Sequence, residues 1–180
     1  MIEFVEKYSK NIYSQNGEDG IIEECLRRMN IEIGSCCEFG AADGYFCSNT
    51  RALIEKGWNF TMLEASNGQF VTPENVNELV PDCDVLSIDI DGNDYAVWKE
   101  YKHKPKIVVI EINSSLDPRV DFFTPEQGAN FSKMLYLGIN KGYELLCHTG
   151  NMIFIDKKYS SLFPEVEGLS FSLFNESWLC

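Results

Sequence analysis

Carboxylates recur in this chain where apolar runs stop. Glu38 follows Ser35-Cys36-Cys37 and stands two residues before Gly40, with Gly44 closing the turn. Glycines at a strand-to-helix turn let the backbone approach a ligand closely, because no side chain blocks the way. A carboxylate ahead of the first glycine accepts hydrogen bonds from a cationic or hydroxyl-bearing ligand. A dinucleotide turn is built differently: G-x-G-x-x-G offers amides to a pyrophosphate, and its acid lies on the next strand. The order here, acid first and glycines at 40 and 44, favours a positively charged ligand such as S-adenosylmethionine over NAD.

Further acids fall at the ends of later runs. Glu64 ends Asn59-Phe60-Thr61-Met62-Leu63, where a carboxylate suits hydrogen bonding to a ribose diol. Asp89 and Asp91 end the run from Asp84, and Glu111 and Asn113 end the run from Lys106. Residues two apart on a strand point to the same side, so four oxygen donors are expected to converge, as Mg²⁺ or Ca²⁺ requires. Simpler roles compete with these. A strand-end acid often only caps the following helix, and Asn93 or Asp94 suits that role before a helix at 95–101. Ser14 or Asn16 suits it before a helix starting near Gly17. The segment from Asp89 to Asp94 has a calcium-loop flavour, but it follows a strand rather than a helix, which argues against an EF-hand. His148, on an apolar strand beside a turn, is either a hydrogen-bonded structural residue or a base. His103, between lysines, is expected at the surface.

The elements that position these residues can be read in order. Ile21, Ile22, Cys25, Leu26 and Met29 have helical spacing, with acids early and arginines late as the helix dipole prefers. Ser48-Asn49-Thr50 opens a helix to Lys56, stopped by Gly57. The strands at 35–38, 59–64, 84–91 and 106–113 are largely continuous apolar runs, which suits a parallel sheet covered on both faces. A helix is expected over 129–141, and the runs 143–148 and 152–156 flank a glycine-containing loop that signals a hairpin. Together they predict an α/β fold: a Rossmann-like, doubly wound, mostly parallel sheet with a C-terminal antiparallel β-hairpin that supplies one antiparallel edge strand.

Composition narrows the function. The chain has 180 residues, 44% of them hydrophobic, which is enough for one domain with a real core and excludes general disorder. A net charge of −13 argues against nucleic-acid and anionic-membrane partners. No apolar run is long enough to cross a membrane, and the first residues lack the pattern of a secretory leader. Seven cysteines without C-x-x-C spacing fit a reduced, cytoplasmic protein, with Cys36 and Cys37 pointing to opposite faces of a strand.

As a set, these motifs resemble the class I S-adenosylmethionine-dependent methyltransferases, and within them the FkbM-like group. Glu38-Phe39-Gly40-Ala41-Ala42-Asp43-Gly44 is similar to that group's first motif, Leu63-Glu64 to its ribose-binding acid, and Leu86 through Asp94 to the motif at its fourth strand. Val109-Ile110-Glu111 resembles the fifth strand, and Gly142-Tyr143-Glu144-Leu145 with Asn151-Met152-Ile153-Phe154 the terminal hairpin. Ser14-Gln15-Asn16-Gly17-Glu18-Asp19 resembles the segment that precedes the first motif. The resemblance covers about 13–157 and leaves an aromatic tail over 158–180 expected to pack on the domain or on a partner chain.

The resemblance implies methyl transfer to a hydroxyl of a small molecule or sugar. Gln15, Glu38, Gly40, Ala41, Gly44, Glu64 and Asp89 would bind the cofactor, and Asp89 or His148 would take the hydroxyl proton. Asp89, Asp91 and Glu111 would hold Mg²⁺ where a metal takes part. One departure stands out. The stretch from Glu64 to Asp84 has room for one helix, starting at Pro73 and capped by Thr72, so a helix and an edge strand of the full fold are missing. The bared sheet edge would need covering by the tail or a second subunit. A binding or assembly protein that lost part of the cofactor pocket is the alternative.

Overall fold

The computed structural model describes residues 3–40, 43–166, 168 and 170–178. The chain begins with helix α1 (Glu3–Tyr8) and a loop that leads into α2 (Glu18–Arg28). Strand β1 (Ser35–Phe39) runs through the glycine turn to α3 (Arg51–Glu55) and β2 (Asn59–Leu63). A single 3-10 turn and the short helix α4 (Val76–Leu79) precede β3 (Val85–Ile88). Helix α5 (Asp94–Glu100) and β4 (Ile107–Glu111) follow, then a small hairpin of β5 (Phe123–Thr124) and β6 (Gly128–Ala129). Helix α6 (Phe131–Asn140) leads to β7 (Tyr143–His148) and β8 (Asn151–Asp156).

The main sheet has the order β2-β1-β3-β4-β8-β7. The first four strands are mutually parallel, and β8 runs antiparallel to both its neighbours. The antiparallel strand is therefore not the edge strand that the hairpin signal predicts. β8 lies inside the sheet, paired with β4 and β7, and β7 forms the edge; both strands are apolar on both faces and covered above and below, so burial alone does not mark which is the edge. The sheet carries one apolar cluster on each face. Phe39, Leu86, Trp98, Phe131 and Phe154 lie in one, and Ile21, Ile22, Val85, Ile107 and Ile153 in the other. Cys36 and Cys37 divide between them as strand alternation requires.

The strands end sooner than their apolar runs suggest. β3 stops at Ile88 and β4 at Glu111, so Asp89, Asp91 and Asn113 belong to turns. The helix expected from Pro73 shrinks to Val76–Leu79, preceded by a turn in which Asn75 Oδ1 accepts the Thr72 N–H and the Thr72 carbonyl accepts the Val76 N–H. No strand fills the outer side of β2 among the described residues.

The tail goes to the opposite edge. Leu173 enters the core, Phe174 stacks on His148 of β7 with ring centroids 5.2 Å apart, and Phe163 packs on Phe4. Arg28 ties the tail to α2 through Glu165 and the Leu162 carbonyl. Among the described residues no helix is long and apolar enough to cross a membrane.

Candidate functional site

The order of the sheet reverses between β1 and β3: the chain leaves β1 for β2 on one side and returns to β3 on the other. Ligands of open α/β sheets bind outside the carboxyl ends of the strands at such a reversal. A cavity of about 360 Å³ lies there, walled by Gly40 after β1, Leu63 and Glu64 at the end of β2, and Asp89 and Asp91 after β3. Gln69, Phe70, Val71 and Thr72 complete it. The shortened stretch after Glu64 thus turns back to form a wall, with the Gln69 N–H on the Glu64 carbonyl at 3.0 Å.

Glu38 does not reach this cavity with a ligand-binding carboxylate. It is buried, and its Oε2 accepts from Ser48 Oγ at 2.5 Å and Thr50 Oγ1 at 2.7 Å, while Oε1 accepts from the Asn49 N–H at 2.7 Å. Asn49 in turn donates to Ser87 Oγ on β3. Glu38 therefore locks the 48–50 segment onto the sheet and fixes the glycine turn from beneath. The expectation that it grips a ligand is corrected, since hydroxyl and amide donors from this chain already engage both oxygens.

Gly40 is required by the fold as well as by any ligand. It has φ +95°, and a Cβ there would sit 1.3 Å from the Asp89 carbonyl oxygen. Gly44, φ +68°, abuts Met62 Sδ of β2. Between them Asp43 accepts the N–H groups of Tyr45 and Phe46, and Ala41 lies outside the described residues. Gln15 lies over the turn, where its Nε2 donates to Cys47 Sγ at 2.7 Å, and it does not line the cavity.

Asp89, Asp91 and Glu111 each offer an oxygen within 4.8 Å of the others. A turn, not strand alternation, brings the first two together. Asp91 takes the left-handed φ of +55°, and Asp94 accepts the N–H groups of Ile90 and Gly92, holding the bend. Asn113 stays out of this group. Its Oδ1 accepts from Ser115 and its Nδ2 donates to the Gln127 carbonyl, so three donors converge rather than four. Asp91 and Glu111 also wall a second cavity of about 390 Å³, closed by Gln127 and Gly128 of the small hairpin.

Burial, followed by the charge of Asp94, raises the Asp89 carboxyl above its ordinary range. Burial, followed by the charge of Asp89, raises Glu111 further, so Glu111 keeps its proton longer and shares it with Asp89. Both folded values lie above the unfolded ones. The associated stability is complete below the ordinary carboxylate values of 3.8 and 4.5 and is lost as pH rises through the raised values. Glu111→Gln is expected to flatten this fall, raising stability above neutrality by about 2 kcal/mol after allowance for partial exposure, with no gain in acid. Urea unfolding of both forms across pH checks this, and parallel profiles would contradict it.

His148 is not brought to Asp89. It is buried beside the tail, where Nδ1 accepts the Asn175 N–H at 3.1 Å and Nε2 lies 2.8 Å from Ser114 Oγ. Ser114 Oγ donates to the Gly150 carbonyl, which leaves its lone pairs for a proton on Nε2. Burial lowers the imidazole pKa to about 4. A neutral ring held at both nitrogens is a structural residue, and the expectation of a catalytic base at His148 is corrected accordingly.

Two further acids, Asp19 and Glu18, organise the chain ahead of β1. Asp19 Oδ2 accepts the N–H groups of Ile12, Tyr13 and Ser14, while Ser14 Oγ accepts the Asp19 N–H; the N-cap position of α2 itself is Gly17, not Ser14 or Asn16. Glu18 Oε1 accepts from Thr149 Oγ1 in the β7–β8 turn. Early acids in α2 have an obvious dipole role, which conceals these longer-range partners.

No protein-family model matches this chain, and no curated protein matches it in sequence.

Proposed function

We propose that this chain is an S-adenosylmethionine-dependent methyltransferase of Rossmann-like, FkbM-like architecture that methylates a hydroxyl of a small molecule or sugar. The observation that carries the reading is a cavity at the sheet reversal, shared by the Gly40 turn, Glu64 and Asp89. Glu64, at the end of the second strand, suits the ribose diol. The Gly40 turn permits close approach of the amino-acid part, and the exposed ring of Phe70 offers a flat apolar wall to the adenine.

The cofactor supplies an electrophilic methyl group on a sulfonium. Around it, the acidic rim favours the positive charge, and the walls hold the acceptor oxygen in line, from which much of the rate arises. Asp89 accepts the hydroxyl proton. Its raised pKa makes it a stronger base than an ordinary aspartate while leaving it ionised in part near neutrality. Where Mg²⁺ takes part, Asp89, Asp91 and Glu111 would hold it, and it would lower the pKa of a coordinated hydroxyl.

The outer side of β2, which no strand covers among the described residues, favours a second reading, a methyltransferase-like binding or assembly protein without catalysis. Calorimetry with S-adenosylmethionine and its demethylated product separates the two. The enzyme reading expects one site for both ligands, and Glu64→Ala is expected to weaken each by about 1.5–3 kcal/mol through loss of a charged hydrogen bond. Affinity unchanged by Glu64→Ala would remove the ribose assignment.

A further inference from the structure

Among the described residues no strand pairs with the outer edge of β2. Asn59 donates its N–H to the Gly34 carbonyl on the β1 side. In a parallel ladder alternate residues face the same neighbour, so Thr61 and Leu63 also face β1, while the N–H and C=O groups of Phe60 and Met62 point outward. Edge strands are normally blunted by lysine, proline or a bulge. β2 reads Asn-Phe-Thr-Met-Leu, without a charge or a proline, and its register with β1 is unbroken. Phe60 is 56% exposed. The tail, which could have covered this edge, packs against β7 at the far side of the sheet.

We propose that a second copy of this chain pairs here, β2 against β2 in antiparallel fashion about a two-fold axis through Thr61. That register places Phe60 opposite Met62 of the other copy, and these are the residues whose backbone groups face outward. Each such pair exchanges both of its hydrogen bonds, giving about four across the axis. Phe60 also meets Met62 side chain to side chain, an aromatic–thioether contact that suits both. The strand's own composition favours a copy over a foreign peptide: the pairing is self-complementary and places no charge against its like.

The consequence for the site rests on the function proposed above. Glu64 and the exposed Phe70 adjoin this edge, so the second copy would flank the cavity where the full methyltransferase fold carries another strand. The dimer itself does not depend on that function.

Sedimentation equilibrium of the full chain without added ligand provides the test. At high micromolar protein and physiological salt, a mass about twice 20.5 kDa is expected. Association should tighten as salt screens the −13 charge of each copy. Met62→Pro removes an outward N–H that β1 does not use, and Phe60→Lys supplies the missing edge charge. Both are expected to sediment as monomers with an unchanged far-ultraviolet circular dichroism spectrum. A wild-type monomer, a dimer that survives both substitutions, or an open-ended assembly would each overturn the proposal. Calorimetry with S-adenosylmethionine, run separately, shows whether the cofactor reading stands or falls on its own.

Discussion

Gly40→Ala is expected to destabilise the fold by more than about 4 kcal/mol, enough to leave much of a marginally stable chain unfolded. Two costs combine. The residue has φ +95°, which an L side chain rarely adopts, and its Cβ would fall 1.3 Å from the Asp89 carbonyl oxygen. The obstacle is backbone, so no side-chain rotation relieves it. Relief would require separating the ends of β1 and β3, which the Asp89 N–H to Phe39 carbonyl bond of 3.1 Å holds together. Soluble yield and urea unfolding of the variant measure this. A Gly40→Ala protein that unfolds at the wild-type midpoint would show that the two strand ends do not meet as described.

Glu38→Ala is expected to cost about 3–5 kcal/mol, because it strips the acceptor from several buried donors at once. The Ser48 and Thr50 hydroxyls and the Asn49 N–H lose their charged partner, and the link onward through Asn49 to Ser87 loosens. Glu38→Gln keeps one acceptor oxygen and is expected to cost less. Glu64→Ala, at the other acidic strand end, is expected to cost less stability than Glu38→Ala while weakening cofactor binding. Denaturant titration of the three variants distinguishes the roles. A loss for Glu38→Ala no larger than that for Glu64→Ala would return Glu38 to the list of ligand-binding residues.

Much of this architecture is legible in the chain. The runs that become β1, β3 and β4 are continuous and apolar because both faces of the sheet are covered, and period and length reveal such strands. Their ends are harder to see. Ile90 and Ile112 prolong the apolar pattern into turns, so Asp89, Asp91 and Asn113 look like strand residues until the left-handed Asp91 is seen. The hairpin of β5 and β6 has two residues per strand, too short for any periodicity, yet it closes the cavity beside Glu111.

The candidate site was legible in its acids but not in their roles. Glu38 and Glu64 look alike in sequence, each ending an apolar run. Only the fold shows that Ser48, Asn49 and Thr50 close over the first, while the second meets a cavity. His148 beside a turn suits a base equally well, and burial under Phe174 with both nitrogens engaged makes it structural. These distinctions depend on residues distant in sequence, as with Glu18 and Thr149, and spacing cannot carry them.

The most direct test of the account is a crystal of this chain grown with S-adenosylhomocysteine. The ligand is expected in the cavity between Gly40, Glu64 and Asp89, its ribose hydroxyls on the Glu64 carboxylate and its sulfur facing Asp89. A saturated crystal with that cavity empty, or with the ligand bound elsewhere, would contradict it.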